Sequence, residues 1–190
     1  MHMSNRAQKK WTLEELHSLP DDGNKYELIR GELFVTPAPT VSHETIVARL
    51  TRILDRYVAA NNLGYVFHRG AVINEDEYSE VEPDLMVRQP PDSEDASWAV
   101  GPLPILVVEV ASDSTRRRDR VRKRGIYADA GIPEYWMVDG RDRTIRIIRP
   151  GLEDVTTRES LVWHPDGVDT PLVISVADVL WPLPKTARDS

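Results

Sequence analysis

The chain has 190 residues, 41% apolar and 29% charged, with a formal net charge of -7 and no cysteine. That length suits one domain with a proper core and is short for two, and the acidic balance argues against a protein that coats nucleic acid by bulk electrostatics. The lack of cysteine excludes disulfides and thiolate metal ligands and fits a reducing cytoplasm; no apolar run approaches the ~20 residues of a membrane helix, and no signal-peptide pattern opens the chain.

Residues 1–10 are expected to be a disordered or cloning-derived tail, 11–182 a single domain, and 183–190 a second tail. Trp11–Leu16 reads as a short amphipathic helix, with Thr12 and Glu15 spaced as a capping box. Lys25–Arg30, Gly31 and Glu32–Thr36 read as a β-hairpin ended by Pro37 and Pro39. Ser42 is the expected cap of a helix from about His43 to Asn62. Ile46, Val47, Leu50, Ile53, Leu54, Tyr57 and Val58 form its buried face, and Gly64 stops it. Tyr65–Arg69 and Ala71–Ile73 suggest one strand or a broken pair, and Asn74–Glu80 a polar turn.

Glu82–Arg88 reads as a strand entered through Pro83, and Gln89–Val100 as a mobile Pro- and acid-rich loop. Ile105 to Val108 is an apolar, β-branched run of the kind covered on both faces of a sheet, and Glu109 interrupts it. A carboxylate there is costly to desolvate unless a cation, a metal or hydrogen bonds meet it. Ser112–Thr115 caps a basic helix from about Arg116 to Ala130, closed by Gly131 and Pro133. Glu134–Asp139 reads as a strand and Thr144–Ile148 as an outer antiparallel strand. Weaker strands follow near Glu159–Val162 and Pro171–Ile174, then a short helix from Ser175 to Leu180.

Arg116, Arg117, Arg118, Arg120, Arg122, Lys123 and Arg124 put seven positive charges into nine residues, relieved only by Asp119. One dense basic element on an acidic protein suggests a focused phosphate-facing surface; the same charges could equally form a solvated face paired with acids.

Two carboxylates on neighbouring strands, Asp84 and Glu109, can hold Mg²⁺ or Mn²⁺, hard cations that prefer oxygen ligands and retain waters. Such a metal lowers the pKa of a bound water and stabilises charge on a phosphoryl oxygen, and Lys123 could orient that water. Helical spacing places Arg116, Arg120, Lys123 and Tyr127 near one face. The alternatives are a structural ion pair for Glu109, a turn cap for Asp84 and a surface charge for Lys123. His43 could be a base, a ligand or merely a helix-start residue. Glu27 and Glu32 read as surface acids of the hairpin, and Tyr135 and Trp136 as core.

Glu82-Pro83-Asp84, Val107-Val-Glu-Val-Ala-Ser112, Ser114-Thr115, Asp119, Lys123, Tyr127 and Gly131-Ile-Pro-Glu-Tyr-Trp136 together resemble the Uma-two family. That family is restriction-endonuclease-like and lies within the PD-(D/E)XK nuclease superfamily. Tyr26-Glu-Leu-Ile-Arg-Gly-Glu-Leu33 and His43 are similar to it too, so the resemblance spans roughly residues 10–180. It implies an α/β fold with a mixed β-sheet core flanked by helices and an N-terminal β-hairpin. It further implies a Mg²⁺-dependent (or Mn²⁺-dependent) endonuclease acting on DNA, with Asp84 and Glu109 as metal ligands and Lys123 and His43 as catalytic candidates. In the wider superfamily the lysine sits two residues after the acid; here Ala111 stands there, and members of this family supply the lysine from the following helix, where Lys123 matches. Arg30 and Asp113 depart from the family's usual acid and proline.

Arg116, Arg117, Arg120 and Arg124 are the expected nucleic-acid contacts. A homodimer is a further expectation, because cutting both strands of a duplex is easier with two sites. The alternative is a catalytically inactive nucleic-acid-binding or accessory protein of the same fold.

Overall fold

The computed structural model describes residues 9–93, 96–111 and 119–180, with the side chains of 75 and 119–121 left out. Its elements are α1 (Leu13–His17), β1 (Lys25–Ile29), β2 (Glu32–Thr36), α2 (Val41–Ala60), β3 (Tyr65–Phe67), β4 (Ile73–Asp76), β5 (Ser79–Val81), β6 (Leu85–Arg88), β7 (Leu106–Val110), α3 (Asp119–Asp129), β8 (Tyr135–Asp139), β9 (Thr144–Ile148), β10 (Val155–Thr157), β11 (Ser160–Trp163), β12 (Leu172–Ser175) and α4 (Val176–Leu180). They form a six-stranded sheet, β10-β9-β8-β7-β6-β3, a four-stranded sheet, β2-β1-β5-β4, and the β11–β12 hairpin. This is the mixed α/β architecture expected from the sequence.

β7 and β8 are the parallel pair of the large sheet, joined across α3; β6 and β9 flank them antiparallel. Alternation along these strands sorts the core into two layers. Leu85, Val87, Leu106, Val108, Val110, Trp136 and Val138 face α2, α4 and the β11–β12 hairpin, meeting Leu50, Leu54, Trp163 and Val179. Met86, Val107, Tyr135 and Met137 face the other way, onto Ile126 and Tyr127 of α3 and onto Ile29 and Val81 of the small sheet. Glu109 shares the second face with Val107, so its carboxylate emerges beneath α3.

The N-terminal hairpin turns through Arg30 and Gly31, at φ 51° and 83°. Positive φ at both central residues is what the twist of a two-residue hairpin requires. α1 is capped as expected: Thr12 accepts from Glu15 N at 3.3 Å, and the Glu15 carboxylate accepts from Thr12 N at 3.1 Å.

Several boundaries differ from the sequence expectation. Thr40, not Ser42, caps α2, accepting from His43 N at 3.3 Å, so the helix begins earlier and His43 falls in its first turn. The polar stretch 74–80 is not a free turn but most of a β4–β5 hairpin paired with β1 through Leu28 and Glu80. Its polarity is absorbed locally: Glu80 accepts from Asn74 and contacts His17, at 2.8 and 3.0 Å. β3 and β4 lie in different sheets. β9 is not the outer strand, because the three-residue β10 pairs beyond it. The loop after β6 is tied down in its described part by the buried Arg88, which donates to Gln89 O, Trp98 O and Val100 O. Among the described residues no helix is long and apolar enough to cross a membrane.

Candidate active site

The β6–β7 register pairs Leu85 with Val108 and Met86 with Val107, and one step further places Asp84 opposite Glu109. Both acids therefore sit at one end of the two central strands. Pro83 prevents β6 from extending past Asp84 as a regular hydrogen-bonded strand. Over this end come three other elements. α3 projects Lys123 and Tyr127, one turn apart and so on the same face. β1 projects Lys25 and Glu27, which share a face by the two-residue period. α2 projects His43 from its first turn.

Two clusters result. Around Glu109, Oε1 accepts from Lys123 Nζ at 2.8 Å and from Tyr127 OH at 2.5 Å. The same Lys123 ammonium lies 2.7 Å from Glu27 Oε1, which also accepts from Glu82 N at 2.9 Å. Around Asp84, Oδ2 accepts from Val110 N at 2.7 Å and meets His43 Nε2 at 3.1 Å, while Oδ1 faces Lys25 Nζ at 3.3 Å. Lys25 also donates to Glu82 O at 3.0 Å. Six of these seven side chains, all but Tyr127, line one cleft of about 740 Å³, along with His68, Arg69 and Arg141.

The charges are mutually stabilised. Burial alone would lower Lys123, but Glu109, Glu27 and Asp84 hold it as ammonium with a pKa well above normal. Burial likewise opposes charge on Lys25, as does Lys123, yet the surrounding carboxylates leave its pKa raised. Burial pushes Asp84 up, but the His43 hydrogen bond and the Lys25 charge hold it well below the usual carboxylate range. Burial pulls His43 down, and Asp84, aided by Glu44, more than offsets this and raises it. Glu27 and Glu109 share one ammonium and part company: burial raises both, but Lys123 and Lys25 bring Glu27 below its normal value, whereas Glu109 stays raised. Tyr127, buried against Glu109, remains a neutral donor.

Among the described residues no three His, Cys, Asp or Glu side chains converge as a ready-made metal cage. The donor set nonetheless suits one kind of ion. Mg²⁺ is commonly held by one or two carboxylates and keeps several waters, and Asp84 and Glu109 are hard oxygen donors opposed across adjacent strands. Both bonds to Glu109 fall on Oε1, so Oε2 takes none from the described residues.

Of the residues singled out in the sequence, Asp84, Glu109, Lys123 and His43 are thus gathered into one cleft. Arg116 and Arg117 lie outside the described residues, and Arg120 is described only as part of the α3 backbone. Arg124 pairs with Asp154 at 2.6 Å and does not line the cleft. Two site residues were not expected. Glu27, a surface acid by its place on the hairpin, is 3% exposed, and Lys25 beside it carries no signal of its own in the sequence. The available signal was an acid flanked by Tyr26 and Leu28 in a short strand within the hairpin motif. Alternation assigns such an acid to a single face, and only the packing of α3 makes that face interior. Tyr135 and Trp136 are buried in the core, as expected.

A family model described as "Putative restriction endonuclease" matches residues 13–177. No curated protein matches the chain. Among solved structures, a crystal structure described as "a putative nuclease belonging to DUF820 from Anabaena variabilis ATCC 29413" is similar, with a TM-score of 0.73 and 20% sequence identity. The similarity covers 89% of this chain and 97% of that one. At that identity it speaks for the fold alone, a nuclease-type mixed α/β fold.

Proposed function

The chain belongs to the Uma2 family, described as "Putative restriction endonuclease", and from that premise we propose that it is a metal-dependent endonuclease hydrolysing DNA phosphodiester bonds. Asp84 and Glu109 would hold Mg²⁺ or Mn²⁺, and Lys123 would assist the attacking water. The observation that carries this reading is the meeting of Asp84, Glu109 and Lys123 at the base of one cleft, from two strands and a helix.

When bound, the metal supplies a water of lowered pKa and a positive charge for the phosphoryl oxygens. The protein's own residues orient and balance. Val110 N–H and His43 fix the Asp84 carboxylate. Tyr127 and Lys123 fix Glu109, leaving one ammonium N–H of Lys123 for a water in the cleft. Preorganised donors of this kind stabilise developing charge without reorganising during the reaction. Arg69 and Arg141 on the cleft wall, and Arg116, Arg117, Arg120 and Arg124 of the basic segment, are the proposed contacts to the DNA backbone, Arg124 after leaving Asp154. The absence of cysteine fits work in the cytoplasm, and a homodimer would bring two such clefts to one duplex.

A second reading has its own support. The carboxylates are already met by Lys25, Lys123, His43, Tyr127 and a backbone N–H, and a satisfied buried ion network can be structural. The protein would then bind nucleic acid, or serve as an accessory, without cutting. Plasmid and single-stranded DNA incubated with Mg²⁺, Mn²⁺ or EDTA separate the two. Metal-dependent cutting that disappears in both Asp84→Ala and Glu109→Ala establishes the nuclease. Salt-sensitive DNA binding without cutting selects the second reading.

A further inference from the structure

We propose that Lys25 is a second catalytic lysine, placed to donate from the cleft wall to a non-bridging oxygen of the scissile phosphate beside Asp84. This rests on the nuclease reading above and adds a residue to it.

The two lysines of the site are held differently. Lys123 lies between Glu27 and Glu109 at 2.7 and 2.8 Å, with 4% of its side chain exposed. Those are the lengths of strong charge-assisted hydrogen bonds, and they commit the ammonium to orienting two carboxylates. Lys25 has 18% of its side chain exposed, and its contact with Asp84 Oδ1 is 3.3 Å. That exceeds the 2.7–2.9 Å typical of such bonds. Its firm anchor is a neutral one, Glu82 O at 3.0 Å. An ammonium has three donors. Lys25 thus keeps one N–H for the cleft and can exchange a second, long bond for a phosphoryl oxygen at little cost.

Placement supports the assignment. Lys25 begins β1 and is held in register with Thr36 of β2, so it stands on a paired strand rather than on a loop. Its face of β1 also carries Glu27, whose carboxylate lies beneath it and holds Lys123. One strand therefore supplies a cation to the open side of the cleft and an anion to its buried side. The two lysines divide the work: Lys123 serves the water at Glu109, and Lys25 serves the phosphate at Asp84. A charged donor of fixed position acting on growing phosphoryl charge lowers the barrier, and losing one such donor typically costs ~10²–10³ in rate.

The test compares wild type, Lys25→Met and Lys25→Gln for single-turnover cleavage of a short duplex with Mn²⁺. Mn²⁺ binding is followed separately by calorimetry, and folding by thermal melting. The expected result is a loss of about 10²–10³ in the cleavage rate for both variants, with Mn²⁺ affinity retained or tightened because a cation beside Asp84 has gone. Lys25→Gln keeps a donor for Glu82 O, so it reports on charge even if Lys25→Met folds poorly. Wild-type cleavage rates in either folded variant overturn the proposal while leaving the nuclease reading intact. A cleavage loss explained by lost Mn²⁺ binding also overturns it, since Lys25 would then serve the metal site. No cutting by wild type removes the nuclease reading and this assignment with it.

Discussion

Glu27 and Lys123 meet at 2.7 Å in the interior, one from the N-terminal hairpin and the other from the helix that follows β7. The pair joins the two sheets at the site, because Lys123 also bonds Glu109 of the large sheet while Glu27 accepts from Glu82 N. Breaking one partner of a buried pair leaves a charge without compensation. Glu27→Gln is expected to destabilise the protein by about 3 kcal/mol, measured by urea unfolding. The double variant Glu27→Gln/Lys123→Met should lose clearly less than the sum of the single losses. Additive losses would mean that the two side chains act independently.

Tyr127 donates to Glu109 at 2.5 Å from a buried position. Tyr127→Phe keeps the ring in its packing against Tyr135 and removes only the hydroxyl. Its expected cost is about 1–3 kcal/mol, the penalty for leaving a buried acceptor short of a donor. Equilibrium unfolding measures it, and a change of a few tenths would show that Glu109 finds a replacement, such as water.

The raised pKa of His43 gives stability a pH dependence. A base that binds its proton more tightly when folded stabilises the native state fully below its unfolded pKa of 6.5. That contribution is lost as pH rises through the folded value. Wild type should therefore lose stability as pH increases across that window, and His43→Asn should show a flatter profile there. Urea midpoints across the series provide the measurement, and parallel profiles would remove His43⁺–Asp84 as a stabilising pair.

Arg69 and Arg141 line the cleft. If they meet the DNA backbone, Arg69→Ala and Arg141→Ala should each reduce the slope of log affinity against log salt by about 1. Binding is measured with Ca²⁺ in place of Mg²⁺. Arg124→Ala provides the comparison, with a smaller change expected because its guanidinium is engaged by Asp154. Unchanged slopes for Arg69 and Arg141 would move the strand path away from this cleft.

Local patterning was enough for most elements. β6, β7 and β8 are apolar runs with short, definite limits, the α2 face repeats at helical spacing, and Glu109 was legible as a charge in a strand that tolerates none without a partner. Asp84 and Lys123 are candidates from an acid opening the neighbouring strand and a lysine on the following helix; the resemblance spanning most of the chain strengthens both and alone singles out His43. β10 and the β4–β5 hairpin were not legible, since three residues or a run of acids carry no periodic signal. Their strand character comes from neighbours already in place.

The sequence by itself therefore determined which residues alternate, which repeat at helical spacing and where an ion would need an answer. Only the tertiary structure decided which ion answers it. A two-residue period assigns Lys25 and Glu27 to one face of β1 but says nothing of what covers that face. Burial of a charge depends on contacts between elements distant in the chain, here α3 closing over the hairpin. That closure turns an apparent surface acid into the buried partner of Lys123, and brings Lys25 to the wall of the cleft that holds Asp84 and Glu109.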